Sequence, residues 1–347
     1  MTARGKPSFT FGIEEEYFLV DPRTRPLVSE PPKSILDESK AKLGGHVSAE
    51  YQRSQIEVAT RICTRTADAR DHLAHLRSGV GGIARRHGLA PIAASTHPFT
   101  RWRTQRHTDM QRYKAIADDL KGVGRRMVVG GMHVHVGIDD DDQRIAVMNG
   151  MRPYLPLLLA LPFWQGENTG LKSYRTAIND ATPHSGMPEA FASWSDYQRT
   201  IGILVRSDVI DHATKIWWDL RPSARFPTLE LRITDICPLM EDALCIAGLF
   251  RCLCRSLWRR NKKGRHSSSP LLILNENRWR AQRYGLEQGF IDLRGESIMT
   301  SSALVDGLLK LLAEDADDLG ANADIAHART ILARGTSADR QLALYRE

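Results

Sequence analysis

No run of apolar residues in this 347-residue chain is long enough to span a bilayer as a helix, which excludes an ordinary helical membrane protein. The opening Met1-Thr2-Ala3-Arg4-Gly5-Lys6 lacks the apolar stretch of a secretory signal and leads into a strand-like segment, so a cytoplasmic location is expected. Cysteine is scarce: Cys63, Cys237, Cys245, Cys252 and Cys254 are odd in number and form no CxxC pair. That argues against a disulfide framework or a zinc site and for buried reduced thiols. Cys252 and Cys254 point to different sides of the helix expected there, whereas Cys245 and Cys252 share a face, as core residues do. Internal repeats, low-complexity tracts and nucleic-acid motifs are also absent. The net charge of +7 therefore has no motif behind it that would favour polyanions. The basic residues Arg255, Arg259, Arg260, Lys262, Lys263 and Arg265, and again Arg101, Arg103 and Arg106, are read as solvated.

What is present is an ordinary globular balance, with 42% hydrophobic and 26% charged residues. Asp21-Pro22 closes a first strand. Residues 46–63 read as extended, 66–88 and 109–121 as helices, and 142–161 as mostly helical with kinks at Pro153 and Pro156. Residues 162–190, punctuated by Gly and Pro, resist regular assignment and suggest a lid or binding loop. Ile216 to Leu220 and Thr228 to Ile236 read as strands, Asp242 to Asn261 as a buried helix, and the chain from about 301 as helical. One α+β domain covering 1–347, an antiparallel sheet with peripheral helices, fits this order.

Three strand-like segments carry the chemistry. Side chains alternate between the faces of a strand. In Phe9 to Val20 the odd positions Phe9, Phe11, Ile13, Tyr17 and Leu19 make an apolar face interrupted only by Glu15. Glu14 and Glu16 share the other face, roughly 6–7 Å apart. His133 and His135 lie opposite Met132, Val134, Val136 and Ile138. Glu230 and Arg232 lie opposite Leu229, Leu231 and Ile233. Crowded carboxylates repel and resist desolvation, so a cation must compensate. Oxygen-rich groups with an occasional imidazole suit Mg²⁺ or Mn²⁺, and Mg²⁺ commonly takes substrate phosphates as further ligands. Arg232 suits phosphate recognition, and Arg221 and Arg225 are further candidates. Glu50 and Glu57 are seven residues apart, on opposite faces of any uninterrupted strand. They converge only if Tyr51 to Ser54 bends the chain. His135 is open to bonding a substrate or a neighbouring strand instead of a metal. Trp217 and Trp218 read as packing, and Asn168, Tyr174 and Asn179 are candidate binding-loop residues.

Phe11-Gly12-Ile13-Glu14-Glu15-Glu16-Tyr17 resembles the opening strand of the glutamate–cysteine ligase type 2 family, the YbdK-like carboxylate–amine ligases. Gly131 to Gly137, Thr169 to Arg175, Trp217 to Pro222, Thr228 to Arg232 and Asn277-Arg278-Trp279-Arg280 resemble further motifs of that family, in the same order. The resemblance implies a glutamine-synthetase-like fold, with ATP and Mg²⁺ or Mn²⁺ on a curved antiparallel sheet. It implies ATP-dependent joining of a small-molecule carboxylate to an amine through an acyl phosphate. Glutamate–cysteine ligation, the family's reference reaction, is often a weak side activity in this branch. By the same resemblance Glu14, Glu16, Glu57, Glu50 and His133 look like metal ligands. Glu230 looks like a ligand bridging metals, Arg232 like the arginine on the ATP phosphates, and Arg175 like a clamp on the substrate carboxylate. The resemblance is compatible with a homodimer and gives no role for nucleic acid or membrane.

Two competing readings stay open on sequence. The His-x-His strand also suggests a metal-dependent amidohydrolase, but no second histidine pair sits in a convincing strand. A non-catalytic nucleotide-binding module would bind without turnover and would not need Glu230.

Overall fold

The computed structural model describes residues 6–159, 169–262, 269–292 and 295–346. Asn168, Lys263, Arg265 and the start of the 162–190 segment lie outside them. The strands are β1 (Phe11–Val20), β2 (Val47–Ala49), β3 (Gln55–Ala59), β4 (Ala90–Ile92), β5 (Met132–Gly137), β6 (Ser185–Gly186), β7 (Trp217–Trp218), β8 (Leu220–Pro222), β9 (Thr228–Leu231), β10 (Phe290–Asp292) and β11 (Ser297–Met299). Seven of them form one antiparallel sheet in the order β2-β3-β1-β5-β9-β8, with β4 paired to the far end of β1.

The main helices are α1 (Lys33–Leu43), α2 (Thr66–Arg86), α3 (Gln111–Arg126), α4 (Asp141–Met151), α5 (Leu155–Leu159), α6 (Tyr174–Asn179), α7 (Trp194–Arg206), α8 (Met240–Lys262), α9 (Leu271–Tyr284) and α10 (Ser301–Leu319). Short helices continue to Arg346. The expected elements are therefore present, with refinements: the strand expected at Thr228 to Ile236 ends at Leu231, and the extended segment 46–63 is divided between β2 and β3. The kink between α4 and α5 is a single 3-10 turn at Arg152–Tyr154, where Pro153 and Pro156 cannot donate to a continuous helix. The expected strand at Ile216 to Leu220 is divided between β7 and β8. The 162–190 segment contains a helix, α6, which Gly and Pro on both sides obscured.

Alternation decides what the sheet buries. Phe9, Phe11, Ile13, Met132, Val134, Val136, Leu229 and Leu231 are all buried in one core with α4 and α8. Tyr17, Leu19, Ile56 and Val58 continue that face against α1 and α2. From Asp242 to Trp258 every residue of α8 is buried, so this helix is the floor beneath the sheet. Its cysteines are free and buried, and burial pushes the Cys252 thiol up to about 12. Arg255 and Arg259, read above as solvated, are instead ion-paired to Asp315 of α10, and Arg255 is buried. A guanidinium under that much protein needs a carboxylate partner, and α10 supplies it.

Candidate active site

Glu15 goes under the sheet. It is fully buried and accepts from Arg77 Nε at 2.9 Å and Arg77 Nη2 at 2.5 Å, and from the Tyr17 hydroxyl. Glu14 and Glu16 go to the other face, where β1 pairs with β3 and β5. The register sets Glu16 opposite Glu57, and Glu14 opposite His133. Beyond Glu16 this face turns apolar again, with Phe18 and Val20 buried against Leu27 and Val128.

Glu50 and Glu57 meet by a full chain reversal rather than a bend. β2 and β3 are antiparallel with Ser48 opposite Glu57, and Ser48 Oγ donates to Glu57 Oε1 at 2.6 Å. Two groups of carboxylates and imidazole result: Glu14, Glu57 and His133, and Glu16, Glu50 and Glu57. Each offers ligand atoms within 4.8 Å of one another. Burial and the neighbouring Glu16 charge push Glu50 up to about 7. Burial, with Glu50, Glu14 and Glu16 around it, raises Glu57 well above the usual carboxylate range. Burial would raise Glu14 as well, but hydrogen bonds and charge from His133 and His135 outweigh it and hold the carboxyl low. His133 Nδ1 stands 3.3 Å from Glu14 Oε2, and its Nε2 3.8 Å from Glu16 Oε1. Burial depresses its pKa. A buried imidazole whose burial favours its neutral form, beside Glu50 and Glu57 that burial pushes towards protonation, is with Glu14 and Glu16 a donor set suited to a hard divalent cation.

The other end of the same face is cationic. Glu230 accepts from Arg221 Nε at 2.9 Å and Nη2 at 3.1 Å, and from Arg232 Nη1. Although burial opposes ionisation, these two arginines hold its carboxyl far below the usual range. Arg221 is fixed in turn by the carbonyls of Thr214 and Ile216. Glu230 thus stands apart from the two carboxylate groups. Arg232 has several N–H donors beyond the one given to Glu230. His135 Nδ1 lies 3.0 Å from Thr228 Oγ1 on β9, and its Nε2 is 3.5 Å from Glu14 Oε1. It therefore bonds the neighbouring strand.

Arg175 lines the cleft but is not a free fork. It is buried, its Nη1 donates to the Ile233 carbonyl at 3.2 Å, and its Nη2 to that of Arg232 at 3.0 Å. The fit is tight: a Cβ at Gly131 would sit 2.5 Å from Arg175 Nη2, so any larger residue there would displace the guanidinium. Tyr174 opens α6 beside it, while Asn179 at the other end of that helix lines the cleft. Arg225 lies on the exposed loop between β8 and β9, at the cleft's rim. Arg175, Asn179 and Arg225, but not Tyr174, line a cleft of about 490 Å³ with the carboxylates and His133.

Sequence reading missed Arg112 and Tyr113 of α3 and Lys215, which also line it. Arg112 lies 4.3 Å over the Tyr113 ring, and the Tyr113 hydroxyl donates to the Ala49 carbonyl at 2.9 Å, next to Glu50. The only signal was an Arg-Tyr pair near the start of an amphipathic helix, and such pairs are common.

A family model for glutamate–cysteine ligase family 2 matches residues 10–347. A protein of Rhodospirillum rubrum named "Putative glutamate--cysteine ligase 2" is 48% identical, over 99% of this chain and 90% of its own length. A relative of the same name from Paracoccus denitrificans is 44% identical, over 98% and 92%. Among solved structures, a glutamate–cysteine ligase from Francisella tularensis, in complex with AMP, superposes with a TM-score of 0.71 at 12% identity. The match covers 97% of this chain and 85% of that one. A bifunctional glutathione synthetase from Pasteurella multocida gives 0.67 at 13% identity, covering 96% of this chain and 51% of the longer one. At such identities the structural likeness speaks for the fold alone, an α+β arrangement built on an antiparallel sheet. On the family match and the close relatives, the chain belongs to glutamate–cysteine ligase family 2, a family of carbon–nitrogen ligases.

Proposed function

We propose that this chain is an ATP-dependent carboxylate–amine ligase that works through an acyl phosphate. The observation that carries the reading is the division of one sheet face. Four carboxylates and a histidine crowd one end, Arg221 and Arg232 meet on Glu230 at the other, and Arg225 and Lys215 also line the cleft. Nucleotide phosphates bridge two such ends, because they need cations on their oxygens from both sides. Glu14, Glu16, Glu50, Glu57 and His133 would hold Mg²⁺ or Mn²⁺. A bound divalent ion would neutralise charge on the β- and γ-phosphate oxygens. Glu230 accepts three guanidinium hydrogen bonds, two on Oε1 and one on Oε2, so one lone pair on Oε2 is left with which it would join these ligands. Arg232, oriented by Glu230, donates to the phosphoryl group as its charge moves. The acid, activated as an acyl phosphate, then meets the amine, which displaces phosphate from the acyl carbon.

The amidohydrolase reading loses ground on geometry. Each metal-capable group among the described residues is mostly carboxylate, and only His133 joins one.

The test is a panel of amino acids and amines with ATP, scored by ADP release and by mass spectrometry of products. Hydroxylamine should trap an acyl hydroxamate. AMP and pyrophosphate as products would point to adenylate chemistry and sink the mechanism.

A pH dependence follows from the crowded carboxylates. Glu50 sits near 7 in the folded chain, against 4.5 for a free glutamate. Between those values the folded state holds the extra proton, so this site's contribution to stability falls as pH rises. A divalent cation relieves the repulsion that ionisation creates. The rise in Tm produced by Mg²⁺ or Mn²⁺ should therefore be small at pH 5 and large at pH 8. An equal rise at both values would separate the cation from these carboxylates.

A further inference from the structure

Arg278 of α9 does not line the cleft, yet it joins Asp219, whose carbonyl holds the Arg232 backbone, to Asp180, which caps the helix carrying Arg175. Its Nε donates to Asp219 Oδ2 at 2.6 Å, and its Nη2 to Asp219 Oδ1 at 3.0 Å. Its Nη1 and Nη2 also donate to Asp180 Oδ2 and Oδ1, at 2.9 and 2.8 Å. One planar guanidinium thus makes two bidentate contacts, a geometry that lysine cannot reproduce. Arg278 and Asp219 are buried.

Both aspartates lead straight to the site. The backbone carbonyl of Asp219 accepts from the N–H groups of Arg232 and Ile233, at 2.8 and 3.0 Å. Asp180 directly follows α6, and Arg175 on that helix donates to the carbonyls of the same two residues. The Arg232–Ile233 backbone is therefore gripped from both sides, its N–H groups by Asp219 and its carbonyls by Arg175. Arg278 ties the two grips together. The same helix adds a further hold, since the Gln282 carbonyl accepts from the N–H groups of Lys172 and Ser173 just before α6.

We propose that Arg278 is a positioning residue: by holding Asp180 and Asp219 in one fork, it sets where Arg232 and Arg175 stand in the cleft without touching substrate. The kinetic part of this inference rests on the ligase reading, and the structural part does not. A shift of about 1 Å in a group that orients reacting atoms can lower a rate on the order of a hundredfold.

The test uses Arg278→Lys and Asp180→Asn in the full chain. Thermal melting, hydrogen exchange of residues 228–236, and kcat and KM for ATP are measured together. Arg278→Lys should melt cooperatively, exchange faster in 228–236 than in β1 and β3, and lose roughly 30–100-fold in kcat, with little change in KM. Asp180→Asn weakens the more exposed arm and keeps the buried Asp219 contact. It should show the same local effects more weakly, and it decides the matter if the lysine variant does not fold. Unchanged exchange and kcat would overturn the proposal. So would a uniform rise in exchange with kcat per folded molecule unchanged, which is what a purely structural residue gives. If the wild-type protein turns over no acid–amine pair, the ligase reading fails. The exchange measurement then decides alone: a rise confined to 228–236 supports the positioning role, and no rise refutes it.

Discussion

Glu14→Gln and Glu16→Gln should each lose at least roughly a hundredfold in metal-dependent ADP formation while the protein stays folded. A neutral amide cannot offset the charge of a divalent ion, and it removes one of the acids that line this end of the cleft. Glu16→Gln keeps an oxygen for the Gly131 N–H that Glu16 now accepts at 2.7 Å, so the strand itself has no reason to fail. Glu15→Gln should behave in the opposite way. Its carboxylate is fully buried against Arg77, whose side chain is 20% exposed. Removing the charge leaves that guanidinium poorly paired and costs about 3 kcal/mol. In a chain of this size that lowers Tm by roughly 4 °C. Activity per folded molecule should survive. Rates and melting curves for the three variants decide it. A folded but inactive Glu15→Gln beside an active Glu14→Gln or Glu16→Gln would overturn the face assignment and the metal site built on it.

Arg232→Lys should lower kcat by roughly 10²–10³, with the fold intact. Lysine keeps a positive charge beside Glu230, so the carboxylate that Arg221 already holds is not left unpaired. What disappears is the planar set of donors that meets a charge-spreading phosphoryl group from a fixed direction. The effect should fall mainly on kcat, because such donors matter most where charge develops. Single-turnover ADP formation, with KM for ATP measured alongside, checks this. A lysine variant that melts like the wild type and keeps kcat within about tenfold would remove Arg232 from the phosphoryl-transfer step.

A similar contrast applies to Arg175. The family resemblance implies a clamp on a substrate carboxylate. In the folded protein both terminal nitrogens already donate to the carbonyls of Arg232 and Ile233, and only Nε lacks a hydrogen-bond partner. Those bonds hold the backbone just after β9, where Arg232 sits.

The sequence by itself determined which side of each strand carries chemistry. Alternation is a local property of extended backbone. It separated Glu14 and Glu16 from Glu15, put His133 and His135 on one face, and put Glu230 with Arg232, without knowledge of any neighbour. It also carried the ordered motifs that mark the family. Tertiary structure alone decided which of these groups meet. Glu50 joins Glu57 because β2 and β3 fold back on each other, and no spacing of seven announces a reversal. Glu230 is locked by Arg221 because β8 lies beside β9. Arg112, Tyr113 and Lys215 reach the cleft from elements with no periodic mark of function. Arg278 ties Asp180 to Asp219 across 98 and 59 residues of chain. Side-chain direction is set within a few residues, whereas convergence is set by topology, and the charges that decide this site come from segments that meet only in the folded chain.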